Sequence, residues 1–399
     1  MIRVLSAATF LIFFQAYMVA PLIPKLAQIF QVSVQAIGIA VPVYMIPYGA
    51  ATLFYGILSD RLGRRLIILS SFTAFALLTA LTALAHSAGQ LIFWRLLTGI
   101  GASGVVPIAL TLMGDLFPYE KRGRPLGWLF GAMAGGMAFG STFGAILEPI
   151  IGWRGLFLGV SALALLCLVL LWRHRQLFGE RRATYATTDD VVKAYRKLLA
   201  GWRGVRTYTY VLLNAMFHSG VYTWLGLYFA RRYGLGEIGI GLALLGYGVP
   251  GFILGPPIGR LADRWGRRWL IPAGLGVAAL AAVALVFNMP VLLAAVAVTF
   301  LSLGYDMTQP LLAGIVTTLD RERGGQAMGL NVFALFTGFG LGSLVFGGLV
   351  DLGFSRALLI FGAVEFLAAL AAIPLYRSEK SSPSELAPAL AGTVLTREA

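Results

Sequence analysis

Charge is scarce in this chain. Of 399 residues, 12% are Asp, Glu, Lys or Arg, about half of what a soluble domain carries, and 58% are hydrophobic. So little charge cannot cover a water-facing surface around so much apolar mass, which excludes an ordinary soluble enzyme or binding domain. There is one cysteine, Cys167, so no disulfide forms within the chain; in an apolar segment it reads as a small packing side chain. Three histidines, scattered, give no Cys/His cluster for a metal. No G-x-x-x-x-G-K-[ST] loop exists to hold ATP phosphates, and no G-x-S-x-G elbow to present a nucleophilic serine. No cofactor is expected, and an enzyme is not expected.

Long apolar runs are what the chain has in abundance. Twelve approach the ~20 residues that cross a bilayer as a helix. They cover roughly 5–26, 36–58, 66–86, 90–113, 125–147, 155–172, 207–230, 237–258, 269–288, 291–316, 326–349 and 356–376. Arg3, an apolar run and Val19-Ala20-Pro21 have the outline of a signal peptide, but the run is too long for one and is needed to keep the helix count even.

The net charge of +14 is distributed by topology. With twelve crossings, 25 of the 31 Lys and Arg residues fall on the side of the termini and five on the other, leaving Arg95 inside a helix. That bias is the positive-inside rule, which predicts a multi-pass protein of the plasma or inner membrane with both termini cytoplasmic. The lipid bilayer is thus the expected partner, and nucleic acid is not.

The chain also repeats itself. Gly56-Ile57-Leu58-Ser59-Asp60-Arg61-Leu62-Gly63-Arg64-Arg65 returns 203 residues later as Gly259-Arg260-Leu261-Ala262-Asp263-Arg264-Trp265-Gly266-Arg267-Arg268. The fifth segment carries Gly127, Gly136, Gly140, Ser141 and Gly144; the eleventh carries Gly329, Gly338, Gly342 and Ser343, offset by 202. Glycines at such intervals let helix backbones approach closely in lipid. A repeat at half the chain length predicts two related helical halves and transport by alternating access. The expected division is an N-terminal six-helix bundle (1–172), a linker (173–206), a C-terminal six-helix bundle (207–376) and a disordered tail (377–399). Apolar residues at helical spacing from Val191 to Trp202 predict an amphipathic helix in the linker.

These residues resemble the major facilitator superfamily over residues 1–376. The marks are the two loop motifs, Arg95-Leu96-Leu97-Thr98-Gly99-Ile100-Gly101 in the fourth segment, and the glycine pattern of the fifth. That pattern is similar to the drug-proton antiporter branch, with Ser141 and Ala145 where that branch has Pro and Gly. The resemblance implies twelve helices in two pseudo-symmetric bundles, with helices one, four, seven and ten lining a central cavity. It also implies a latch in the loop motifs: Gly56, Asp60, Arg61, Gly63 and Arg64 with Asp115 as partner in one half, and Gly259, Asp263, Arg264, Gly266 and Arg267 in the other.

Ionisable groups at membrane depth cost about 2.5–3.5 kcal/mol each and mark function by default. Arg95, Asp306 and Glu365 qualify, with Asp306 the first proton-coupling candidate, then His218 and Glu365. On the seventh segment Asn214, His218 and Tyr222 fall at i, i+4 and i+8, forming a polar stripe. With Gln15, Tyr17, Met18, Tyr44, Tyr48, Arg95, Asp306 and Gln309 they make the expected cavity lining, suited to small organic substrates. The expectation is proton-coupled efflux of a drug or metabolite by a monomer. The alternative is proton-coupled symport of an organic anion, anchored on Arg95, or of another small metabolite, and more distant readings are a membrane enzyme or a non-transporting membrane protein.

Overall fold

A computed structural model describes residues 2–116, 123–178, 188–320 and 324–379. The helices are α1 (Ile2–Tyr17), α2 (Ile23–Phe30), α3 (Val34–Gly38), α4 (Pro42–Leu62), α5 (Arg64–Ala83), α6 (Ala88–Ala102), α7 (Val105–Leu116) and α8 (Gly123–Arg173). They continue as α9 (Thr188–Ala200), α10 (Trp202–Tyr233), α11 (Glu237–Ala243), α12 (Val249–Trp265), α13 (Arg267–Ala284), α14 (Val291–Val316), α15 (Gly324–Leu349) and α16 (Phe354–Leu375). No strand occurs among the described residues. Nine helical segments there are long and apolar enough to cross a membrane, one of them 46 residues long. That long one, in α8, turns at Gly152, whose φ of +71° takes it out of the helix and divides the fifth predicted crossing from the sixth.

Four predicted crossings are broken instead of continuous. The first divides between α1 and α2, the second between α3 and α4, the fourth between α6 and α7, and the eighth between α11 and α12. Pro42 and Pro250 sit in the first turns after two of the breaks, where a missing N–H costs nothing. A break leaves helix-end N–H and C=O groups at membrane depth, and these need partners.

The loop motifs adopt one conformation twice. Gly63 (φ 90°, ψ 142°) separates α4 from α5, and Gly266 (φ 82°, ψ 153°) separates α12 from α13. Positive φ explains why the second glycine of each motif is retained: a side chain there would be strained. The side chains of Asp60, Asp115, Asp263 and Arg264, and Gly259, lie outside the described residues, so the latch itself is not described. Arg61 and Gly56 are exposed, Arg64 opens α5, and the Arg267 guanidinium lies 3.4 Å from where a Cβ on Gly314 would be.

The glycine pattern makes matching contacts in the two halves. A Cβ on Gly136 would lie 2.6 Å from the Phe10 carbonyl oxygen of α1, and one on Gly140 2.5 Å from that of Phe14. In the second half, a Cβ on Gly338 would lie 2.6 Å from the Leu212 oxygen of α10, and one on Gly342 would overlap the Met216 oxygen. Each atom is backbone and cannot move aside. Gly140→Ala and Gly342→Ala are each expected to cost about 1–3 kcal/mol or more. In detergent their unfolding midpoints should fall well below that of Gly348→Ala, where a Cβ meets nothing within 4 Å; equal midpoints would show that the helices slide apart freely.

The halves meet at the end opposite the loop motifs. Lys25 and Glu237 pair at 3.2 Å, and Gln35 hydrogen-bonds Asp351. A Cβ on Gly226 would lie 2.9 Å from Pro21, and one on Gly241 2.9 Å from the Thr142 oxygen. Toward the motif end, a Cβ on Gly56 meets nothing within 4 Å.

Helix α10 starts at Trp202, earlier than the apolar run suggests, because its first turn is anchored by charge. Glu379 takes Arg203 Nε at 2.7 Å and Arg206 at 2.6 Å, while Arg206 also donates to the Leu375 oxygen at 2.5 Å and lies 4.2 Å over Tyr376. Glu379 falls in the stretch expected as a disordered tail, yet it is 8% exposed; residues 380–399 lie outside the described residues. Burial alone would raise the Glu379 pKa, but its bonds to the two arginines outweigh burial and hold it below the ordinary value. The tie is therefore intact above the usual glutamate range and is lost only as pH falls through the depressed value. Helix α9 stands where the linker helix is expected. Tyr195 on it approaches Gly329, and Lys197 pairs with Asp320 at 3.5 Å.

Candidate functional site: an aromatic row between two capped breaks

Two charged side chains serve the broken helices, with opposite signs at opposite kinds of helix end. Arg95, on α6, is 0% exposed. Its Nε donates to the Ala40 oxygen at 3.2 Å, its NH1 to the Gln15 oxygen at 3.3 Å and to Gln15 Oε1 at 3.0 Å, and its NH2 to the Ala16 oxygen at 3.3 Å. Gln15 and Ala16 are in the last turn of α1, and Ala40 lies in the break after α3. These are carbonyl ends, where a cation is favoured by the dipole. The Tyr44 ring covers the guanidinium at 4.2 Å. The fork geometry of arginine is thus spent on backbone. The sequence suggested Arg95 as an anchor for anionic substrate; its donors instead fasten two helix breaks, after α1 and after α3, to α6.

Asp306, on α14, does the reverse. Gly248 (φ 79°, ψ −16°) precedes α12, and its N–H donates to Ser302 Oγ at 2.9 Å. Ser302 in turn donates to Asp306 Oδ2 at 3.2 Å. The other carboxylate oxygen lies 2.6 Å from where a Cβ on Gly251 would be, so only glycine admits it there. A half-buried carboxylate therefore stands at the N-terminus of α12, where the dipole favours negative charge.

Between these two caps runs a row of rings crossing from one half to the other. Tyr44 stacks on Tyr48 with centroids 6.1 Å apart, and Tyr48 on Phe336 at 4.1 Å. Phe336 leads to Phe339 at 5.8 Å, which adjoins Tyr17 at 6.2 Å and His218 at 6.0 Å. His218 stacks on Tyr305 at 3.8 Å, and Tyr222 on Tyr247 at 4.1 Å. The His218 ring nitrogen Nε2 is hydrogen-bonded to the Tyr247 hydroxyl. Asn214, one turn before His218, donates to Thr308 at 2.9 Å and to Gln309 Oε1 at 3.3 Å. Buried polar atoms along this row lack partners: Gln15 Nε2, Gln309 Nε2, Asn214 Oδ1 and the hydroxyls of Tyr17, Tyr44 and Tyr48. Unpaired polar atoms inside a packed interior are costly.

Most of the residues selected from sequence belong to this arrangement, and two stand apart. Met18 packs against Gly144 of α8. Glu365, 1% exposed on α16, has Oε1 without a partner and Tyr210 of α10 as its titratable neighbour. Sequence reading missed Tyr247, Ser302, Phe336 and Phe339. For Tyr247 a signal existed: Gly246-Tyr247-Gly248-Val249-Pro250 is a helix-breaking stretch inside an apolar run. Phe336 and Phe339 had none, since aromatic residues in an apolar helix read as packing.

The sequence model of the Major Facilitator Superfamily matches residues 5–253 and, separately, 212–398. This chain belongs to that superfamily. This facilitator is 26% identical over 367 residues to the uncharacterized MFS-type transporter YwfA of Bacillus subtilis, covering 90% of this chain and 88% of that one. It is 27% identical over 261 residues to a chloramphenicol resistance protein of Streptomyces lividans, covering 65% of each. Among solved structures it shares its fold with a bacterial homolog of the human lysosomal transporter Spinster, inward-facing and unoccupied (TM-score 0.75, 17% identity, 96% and 98% of the two chains). It also shares it with a D-xylose-proton symporter (TM-score 0.73, 18% identity, 92% and 95%). The fold is the major facilitator fold with two halves, and the facilitator is a multi-pass membrane transporter of small substrates, not an enzyme.

Proposed function

We propose that this facilitator is a proton-coupled exporter of small organic compounds, with both termini cytoplasmic and Asp306 carrying the proton. The observation that carries the reading is the place of Asp306 at the N-terminus of α12. As a carboxylate it stabilises that helix end; as a carboxylic acid it loses the charge that the dipole favours. The difference is worth up to about 2 kcal/mol in a partly buried setting, enough to move a two-state population some thirtyfold. The break it caps joins α12 to α11, and α11 carries Glu237 and Gly241, two of the contacts that close the end opposite the motifs. Proton binding at Asp306 thus acts on the segment that closes one side of the site. The titratable groups facing it are Tyr305 of its own helix, Tyr247 of the α11–α12 break and, through Tyr247, His218 of α10.

Orientation rests on the bias of 25 cations to five. Resemblance to a chloramphenicol resistance protein supports export, and the shared fold of a proton symporter is compatible with a proton as the coupling ion. Symport of an organic anion is the weaker reading, because the guanidinium of Arg95 is already engaged by three carbonyls and Gln15. Proteoliposomes with an imposed pH gradient provide the test, using labelled chloramphenicol and a panel of neutral aromatic drugs. Movement against the concentration gradient that a protonophore abolishes is the expected result. Transport that follows concentration alone, indifferent to the pH gradient, would remove the proton from the reading.

A further inference from the structure

The unpaired atoms of the aromatic row specify the charge of what it takes. Among the described residues no cation is free there: Arg95 has its fork committed to Ala40, Gln15 and Ala16, and its face to Tyr44. The carboxylate of Asp306 is committed to Ser302 and the start of α12. The atoms left over are all neutral. Gln15 and Gln309 each offer an amide NH2, Asn214 a carbonyl oxygen, and Tyr17, Tyr44 and Tyr48 their hydroxyls. An anion would leave these groups to balance a full charge without a cation, and an ammonium would have to compete for a carboxylate already in use. Burying an unpaired charge costs far more than burying a hydrogen-bonding neutral group.

Gln15 is the informative member. Its Oε1 accepts from Arg95 at 3.0 Å, which fixes the orientation of the amide and leaves Nε2 as a buried donor with nothing to bind. Arg95 is therefore a positioning residue for that donor. The ring stacks identify where a flat molecule fits. Tyr48 belongs to α4 of the first half and Phe336 to α15 of the second, and they stack at 4.1 Å and 15°, face to face across the interface. That spacing leaves no room between them. When the halves separate, each ring loses its partner, and a planar ligand ring of similar size restores the contact on Tyr48.

We propose that the row binds an uncharged planar molecule that replaces Phe336 on the face of Tyr48 and accepts a hydrogen bond from Gln15 Nε2, with Gln309 Nε2 as the second donor. This deepens the transporter reading but is independent of the proton: equilibrium binding is measured on purified protein with no gradient, so a failed coupling test leaves it standing, and the reverse.

The experiment uses two matched triads. One is chloramphenicol, its hemisuccinate ester and its deacylated amine; the other is 2-naphthamide, 2-naphthoate and 2-naphthylmethylammonium. In each, one ring system appears neutral, anionic and cationic. The neutral member is expected to bind at least about tenfold tighter than either charged member in at least one triad, a difference of about 1.4 kcal/mol. A charged member binding best, or no neutral member binding up to its solubility, overturns the proposal. Gln15→Glu keeps an acceptor for Arg95 and removes the donor. It should retain the wild-type unfolding midpoint and lose neutral-ligand affinity by about tenfold; unchanged affinity would show that Gln15 serves only Arg95. The two stacked rings should respond with opposite signs. Tyr48→Leu should weaken binding, because it removes the face that the ligand occupies. Phe336→Leu should strengthen it, because it removes the ring that competes for that face. Equal losses at both positions would mean that the pair is packing, and the replacement would be wrong.

Discussion

Asp306→Asn should abolish movement of substrate against its gradient while leaving exchange across the membrane within a few-fold of wild type. Asparagine keeps the shape and the acceptor oxygen that Ser302 and the start of α12 use, but it never changes charge. It holds the site permanently in a state close to the protonated one. The α11–α12 break then loses its proton-dependent bias, worth up to about 2 kcal/mol, and substrate can still be passed from side to side down its gradient. Proteoliposomes separate the two outcomes: counterflow measures exchange, and an imposed pH gradient measures accumulation. Ser302→Ala provides a graded comparison, because it removes the hydroxyl that links Gly248 to the carboxylate but leaves the titrating group in place. It should reduce accumulation without abolishing it. A mutant at Asp306 that concentrates substrate as the wild type does would make this carboxylate structural. The coupling group would then have to be sought at His218, whose ring is bonded to Tyr247, or at Glu365, which stands apart from the row.

The second large effect is expected from a substitution that preserves charge. Arg95→Lys should leave little folded protein. A single ammonium cannot reach the Ala40, Gln15 and Ala16 carbonyls together, and those oxygens lie in the interior at the ends of α1 and α3. Each buried polar group left unpaired costs about 1–3 kcal/mol. Two or three of them together approach the 5–15 kcal/mol by which a native protein is stable. Expression followed by fluorescence size-exclusion in detergent should show aggregate or absence where the wild type gives a monodisperse peak. The comparison with Arg95→Met separates shape from charge. If a bare cation were what mattered, Lys would rescue and Met would not; because the bonds matter, both should fail. A Lys variant that folds normally but loses affinity for an organic anion would instead restore the reading of Arg95 as a substrate anchor.

What could be read from the sequence was whatever repeats or whatever is costly. The loop motifs were recognisable because the same decapeptide occurs twice, and the structure gives a reason for one of their conserved features within the chain: Gly63 and Gly266 both adopt positive φ. The glycine ladders predicted close helix pairs, and Gly140 against Phe14 and Gly338 against Leu212 are such pairs. Arg95 and Asp306 stood out because charges at membrane depth are expensive. Their partners could not be read. Arg95 is bound by backbone oxygens, which every residue carries and no sequence pattern marks. Asp306 is placed by a break in a different helix, and the distance between residues 248 and 306 along the chain says nothing about their contact.

By itself, the sequence determined that this protein lies in a membrane as two related helical halves, since hydropathy, cation bias and an internal repeat are each properties of residues taken in order. It also singled out the few charges that had to have a purpose. Only the tertiary structure decided which groups those charges meet. It broke four helices that read as continuous, set a cation at the carbonyl ends and a carboxylate at an amide end, and stacked Tyr48 of one half on Phe336 of the other. The reason is that apolar runs specify burial but not partners: in lipid every aromatic residue is equally at home, and which ring meets which is fixed by how the two halves pack.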